Sequence, residues 1–340
     1  MAYTTINKHT DYINTVLYTG TGSELAITGV GFQPDWTWIK RRDAVANGGM
    51  FDVLRGVTKL ISSSQTDAEQ TLAQSLKSFD SDGFTLGTGP NGYVNTSSSA
   101  TVAWNWKAGG AGSANSDGSI SSTVSVNTTA GFSIVKWTGT AANATVGHGL
   151  GAVPKMIIVK NLADSTNWNV YHQGVGNDGS LYLNSTQGKE TYQPFWNNTT
   201  PTSSVFTVGS DGATNGSGDN MIAYCFVEKT GYSKFGTYYG NGAADGAFVY
   251  TGFRPQFTLI KPLATQNWQI HDTKRDGYNV KNDNLSPNNT AAEADNQFMD
   301  IVSNGFKLRS STYSASSTTY IYMAFGQSLV GSNNVPCTAR

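Results

Sequence analysis

Residues 29–40 read GVGFQPDWTWIK, and the way this stretch repeats decides the fold. The glycines permit a tight turn, Pro34 stops a ladder from extending backward, and the strand that follows ends in Lys40. A related phrase returns at 147–160 as GHGLGAVPKMIIVK and at 250–261 as YTGFRPQFTLIK. In each the proline stands six residues before the lysine: Pro34/Lys40, Pro154/Lys160 and Pro255/Lys261. Two and four residues after the prolines come Trp36/Trp38, Met156/Ile158 and Phe257/Leu259. The residues between and beyond them are Thr37/Ile39, Ile157/Val159 and Thr258/Ile260. Alternation with one heavier face predicts a sandwich strand whose heavy side meets the opposing sheet of its own sandwich.

Working outward, each proline is preceded by a strand ending in a glycine turn: VLYTGTG at 16–22, VKWTGT at 135–140 and TYYGNG at 237–242. Each copy closes on an alternating aromatic strand: ATVAWNWKAG at 100–109, NMIAYCFVEK at 220–229 and TTYIYMAFGQS at 318–328. Trp104, Tyr224 and Phe325 each fall 70 residues after their proline. Such regular intervals are the signature of internal repetition. The expected fold is all-β: three tandem, divergent, jelly-roll-like antiparallel β-sandwich domains. Their expected bounds are 17–108, 122–230 and 231–328. A flexible Gly/Ser linker is expected at 109–121, an N-terminal arm at 1–16 and a C-terminal tail at 329–340.

Within the copies, FDSDGFTLG at 79–87, VFTVGSDG at 205–212 and IVSNGFKLRS at 301–310 predict one recurring hairpin. Before it, Thr66 and Glu69 in copy 1, and Thr290 and Glu293 in copy 3, have capping-box spacing and predict short helices. Copy 2 has Gly188 and Pro194 there, so a loop with an exposed cluster of Tyr192, Phe195 and Trp196 is expected instead.

Only 13% of residues are charged and the formal net charge is −1, so the chain has no basic field for nucleic acid. No run reaches the ~18 apolar residues of a membrane-spanning helix, and the first fifteen residues lack a secretory pattern. Cys225 and Cys337 are expected to be free thiols. GTGPNG at 87–92 matches a dinucleotide fingerprint in letters alone, because a strand pattern follows it where a helix is needed. DSDG at 80–83 begins like a calcium loop but lacks the later ligands and reads as a turn. His172 and His271, shortly after Trp168 and Trp268, read as an equivalent pair of structural histidines, and His148 as a turn residue. No catalytic residue, cofactor site or metal site is expected. The repeated lysines Lys40, Lys160 and Lys261 are expected at strand ends with their ammonium groups in water. Trp196, Tyr192, Phe195, Tyr278 and Tyr313 are the candidates for surface contact with a sugar or a protein.

The segments DYINTVLYTGTG, ITGVGFQPDWTWIK, SFDSDGFTLG, YVNTSSSATVAWNWKAGG and VGHGLGAVPKMIIVKN resemble a domain common in tailed bacteriophages, especially marine ones. The resemblance is strong over 11–170 and weaker over copy 3. Proteins of that kind are described as virion structural or tail-fibre-like, with no defined activity. The resemblance therefore implies a non-enzymatic virion protein, on the tail or capsid surface, made in the host cytoplasm. A tail fibre or tail-tip attachment component comes first. A capsid decoration or head-fibre protein is the alternative, and a carbohydrate-active enzyme a distant third. Implied partners are other virion proteins through the terminal arms and a host surface glycan or protein, with a homotrimer as the expected assembly.

Overall fold

The computed structural model describes residues 4–89 and 91–330. The chain is all-β and antiparallel, and one arrangement of four strands occurs three times. In copy 1 the strands Ile13–Thr19, Ala100–Trp106, Trp36–Arg41 and Gly49–Asp52 lie side by side in that order. In copy 2 the same order is Phe132–Thr138, Asn220–Phe226, Met156–Asn161 and Asn169–His172. In copy 3 it is Ser233–Tyr239, Thr319–Gln327, Arg254–Pro262 and Gln269–Asp272. First and last strands of each copy are thus neighbours, and the proline-led strand lies beside the last. A smaller sheet covers each, built on Leu25–Ile27 with Gly83–Leu86, Ala144–Gly147 with Val205–Val208, and Phe248–Tyr250 with Gly305–Leu308.

Among the described residues, apolar side chains gather in four clusters, not three. Each sandwich has its own, containing Ile39 and Phe84 in copy 1, Val159 and Phe206 in copy 2, and Ile260 and Phe306 in copy 3. The fourth is shared. It collects Trp36, Trp38, Trp104 and Trp106 with Met156, Ile158, Tyr224 and Phe226, and with Phe257, Leu259, Met323 and Phe325. The heavy face of the proline-led strand therefore points away from its own sandwich, into a core common to the three copies. Together these side chains fill a centre that no copy closes alone. Trp36 stacks on Tyr224 at 4.5 Å and lies 4.3 Å from Trp106, so copies 1 and 2 meet ring on ring.

The copies also join through backbone bonds that follow one another around a ring. Glu69 N–H donates to Leu162 O, Lys189 N–H to Leu263 O, and Glu293 N–H to Arg42 O. Each acceptor stands two residues past the repeated lysine, so the contacts run from copy 1 to 2, 2 to 3 and 3 to 1. A head-to-tail interface that closes after three steps is a pseudo-threefold ring within one chain.

These joints account for the missing helices. The segments around Thr66–Glu69 and Thr290–Glu293 are not helical but run as loops into the strands Gln70–Thr71 and Ala294–Val302. The Glu69 carboxylate pairs with Arg55 and Lys59, and that of Glu293 with Arg42 and Arg275, so neither serves as a cap. The only α-helical turn among the described residues is Gly212–Asn215 in copy 2, N-capped by Asp211, whose carboxylate accepts from Ala213 N–H at 2.8 Å. The hairpin forms in copies 1 and 3, closed by Asp80 opposite Gly83 and Val302 opposite Gly305. In copy 2 the strand Val205–Val208 pairs with Ala144–Gly147, and the Ser-Asp-Gly that follows starts the helical turn, not a hairpin.

The expected flexible linker and free arm are corrected as well. Ser113–Asn115 forms a strand against Ser122–Asn127. The N-terminal segment folds onto the body: Ile6 and Ile13 enter the shared core, and Gln327 receives the His9 N–H at 3.0 Å and donates to Asn7 O at 2.8 Å. The first strand begins at Ile13, inside the expected arm. The tail beyond residue 330 and Cys337 lie outside the described residues, while Cys225 is a buried free thiol.

The repeated glycine has a packing cause. A β-carbon on Gly20, Gly139 or Gly240 would lie 2.1, 2.1 or 2.0 Å from the carbonyl oxygen of Thr96, Gly216 or Ala315. Backbone cannot yield as a flexible side chain can. Gly139→Ala is expected to destabilise the protein by about 1–3 kcal/mol, read as a lower urea midpoint with an unchanged m-value. A midpoint within error of wild type would refute this account.

Candidate functional site

The polar positions repeated in sequence converge on the joints between copies. Lys40, Lys160 and Lys261 are each 0% exposed, so the expected water-facing strand ends are overturned. Each side chain turns inward to collect carbonyls. Lys40 Nζ donates to Ala46 O at 3.1 Å and to Asn289 O of copy 3 at 2.9 Å. Lys261 Nζ donates to Pro262 O, Ala264 O and, at 3.2 Å, Thr186 O of copy 2. Lys160 Nζ donates to Asn161 O at 2.7 Å and Asp164 O at 3.0 Å. The strand ends at the joint, its neighbouring loops leave carbonyls without ladder partners, and a cation with three donors satisfies them.

Burial pulls each of these ammonium groups from the ordinary 10.5 down to about 8. Between those values the unfolded chain holds a proton that the folded protein has released. The burial penalty is therefore present below pH 8 and is relieved as pH rises through the window. Wild type is expected to gain about 3 kcal/mol relative to Lys40→Met between pH 7.5 and 10.5, measured by urea unfolding at stepped pH. Taking the difference cancels the titration of all other groups. A difference that stays flat would refute it.

A second ring of polar groups lies deeper. In copy 1 Asp52 receives Arg55 Nε at 2.5 Å and the Tyr224 hydroxyl of copy 2 at 2.8 Å. In copy 3 Asp272 receives Arg275 Nε at 2.6 Å and Trp104 Nε1 of copy 1 at 2.9 Å. Burial opposes ionisation of Asp272, but the Arg275 guanidinium and the donated bonds outweigh it and hold the carboxyl below its usual range. The ladders place Met323 of copy 3 at the position of Trp104 and Tyr224. Methionine has no N–H or O–H to give, and there the partner copy has His172 and Val175 in place of an acid and an arginine. The His172 ring accepts from Gly174 N–H at 3.0 Å and donates from Nε2 to Tyr322 O at 3.2 Å. Burial lowers its pKa to about 4, so it is neutral. Ionic or neutral chemistry at each joint thus matches what the next copy offers.

The same registers revise two equivalences. Met156 pairs with His172, and Phe257 pairs with Asp272, so His271 matches Tyr171 and Phe51 instead. His271 faces its own sandwich, 4.0 Å from the Phe298 ring. Phe325 aligns with Trp106 and Phe226, two residues further along the strand than its interval from Pro255 implied.

Of the five aromatic contact candidates, three are buried. Trp196 donates to Gly179 O at 3.1 Å, Phe195 packs edge-on to Tyr182, and the Tyr313 hydroxyl bonds Asn267 O at 3.0 Å. Tyr192 is 43% and Tyr278 86% exposed. The Asp82 carboxylate in DSDG accepts from Gly29 and Gly31 N–H, which lowers its pKa and makes it a clip between turns.

Tyr192 borders a pocket of about 490 Å³, formed by copy 2 with Thr66 of copy 1 at one side, that no sequence motif announced. Asn169, Tyr182, Glu190 and Asp211 line it with the small residue Ala213. The Tyr182 hydroxyl donates to Glu190 at 2.5 Å. Burial, reinforced by the Glu190 charge, raises the Asp211 pKa, which its bond from Ala213 N–H only partly offsets. Asn169 is 0% exposed, and neither atom of its amide has a hydrogen-bond partner among the described residues.

An all-β body of three joined sandwiches, with its repeated charges in the joints, is the class that fold and site define. The chain belongs to the family described as Domain of unknown function (DUF7483), whose match runs over residues 8–328, through all three copies. No curated protein matches it.

Proposed function

We propose that the protein is a non-enzymatic structural protein of a tailed-phage virion, a tail-fibre or tail-tip component that contributes to attachment to the host surface. The sequence resemblance supports this reading, and one structural observation carries it. Lys40 and Lys261, and the acids of copies 1 and 3, are consumed in bonds that join one copy to the next, and they tie the three copies into one body. A body of this kind presents surface, and weak contacts made by many copies on one particle add up to firm attachment.

Immunogold labelling of intact particles is expected to mark the tail. Label confined to the capsid would replace this reading with a head-decorating role. Purified protein is expected to bind host cells and to slow phage adsorption, and failure in both would overturn the attachment role. Release of reducing sugar from host polysaccharide, lost on replacing Glu190 or Asp211, would overturn the non-enzymatic reading.

A further inference from the structure

The pocket of copy 2 exists because that copy lacks a side chain the other two have. Eleven residues before Trp104 stands Tyr93, and ten before Met323 stands Tyr313. In copy 1 Tyr93 packs over Gly49, the ladder equivalent of Asn169. In copy 3 the Tyr313 hydroxyl receives Gln269 Nε2 at 2.9 Å, and Gln269 is the third equivalent. Copy 2 has Ala213 at that place, eleven residues before Tyr224, on the short helical turn. The space filled by a tyrosine in the other copies is open here, and the amide beneath it has both a donor and an acceptor unmet. Leaving such a group buried without partners is costly, and apolar residues fill equivalent space at no such cost.

We propose that this pocket binds a sugar residue of a neutral saccharide. A hydroxyl both accepts and donates, as the Asn169 amide requires, and vicinal hydroxyls are the natural donors to the carboxylates of Glu190 and Asp211. Those two acids disfavour an anionic ligand. Glu190 already receives Tyr182 and, at 3.0 Å, Gln187 Nε2, so its charge is partly answered without a cation. The Tyr192 ring, held edge-on against Phe195 at 4.9 Å, offers a flat apolar face at the rim for the C–H side of a pyranose. The volume is that of a small-ligand site. The assignment gives the attachment role above a ligand class and rests on that role only for its biological setting.

The test is titration calorimetry and array binding of the full-length protein. The probes are neutral hexose and N-acetylhexosamine oligosaccharides, a uronate-containing oligosaccharide, and spermidine. Neutral oligosaccharide is expected to bind, with the uronate probe at least tenfold weaker. Ala213→Tyr, which copies the other lobes, and Asn169→Leu, which removes the unmet amide, are each expected to weaken binding at least tenfold. Asn169→Leu is also expected to keep or raise the melting temperature, so a loss of binding cannot be ascribed to unfolding. Absence of neutral-saccharide binding, a preference for uronate or spermidine, or wild-type affinity in both variants would overturn the assignment. Binding by purified protein that proves absent from virion tails would leave the pocket assigned and remove only its setting.

Discussion

Trp36→Ala is expected to destabilise the whole chain, not one lobe, by about 3–5 kcal/mol. The indole is 0% exposed and touches rings from copies 1 and 2: Trp38, Trp106, Phe132, Tyr224 and Phe226. Truncation leaves a cavity that these rings cannot fill, because they are fixed on the strands of two packed sheets. Since the core is common, the loss is expected in a single transition, with tryptophan fluorescence and far-ultraviolet circular dichroism shifting together in denaturant. Two separated transitions, one unaffected by the substitution, would show that the lobes unfold independently and would refute the shared core. The same reasoning predicts that residues 1–110 alone lack a cooperative transition. Their inner sheet would expose Trp36, Trp38, Trp104 and Trp106 to water.

Arg55→Met is expected to cost about 3–5 kcal/mol, although methionine fills much of the same volume. Both side chains of the Arg55–Asp52 pair are fully buried, and Arg55 also donates to Met50 O and Lys59 O. Removing the guanidinium leaves the Asp52 carboxylate with the Tyr224 hydroxyl and two backbone N–H groups as its remaining donors. The double variant Asp52→Asn/Arg55→Met removes both charges and is expected to recover at least half of the loss. Copy 2 supplies the precedent, with neutral His172 and Val175 at the equivalent positions of another joint. A double-mutant cycle in urea measures the coupling, and strictly additive costs would refute a charge-pair origin.

The strand pattern was legible in the sequence because strand periodicity is local. Alternation after Pro34, Pro154 and Pro255 identified both faces of each strand, and the spacing to the closing aromatic strand identified the repeat. The Asp-Gly and Asn-Gly turns gave hairpins in copies 1 and 3, where the pairing partner is adjacent in sequence. The capping-box spacings of Thr66/Glu69 and Thr290/Glu293 misled because the carboxylates meet arginines brought by the fold, and Arg42 reaches Glu293 from a different copy. The lysines misled for the same reason: strand-end position implies water only if nothing packs against that end. Asn169 and Ala213 gave no signal, since a pocket made by a missing tyrosine is visible only once the three copies are superposed through their ladders.

By itself, then, the sequence determined an all-β chain in three antiparallel repeats and the heavy face of each proline-led strand. Tertiary structure alone decided what that face meets. A sheet can bury either face against any apolar surface of fitting shape, and local periodicity does not say whose surface it is. Closure of the ring sends Trp36, Met156 and Phe257 into one centre, takes Lys40 and Lys261 out of water onto carbonyls of another copy, and leaves the unfilled pocket over Asn169 in copy 2.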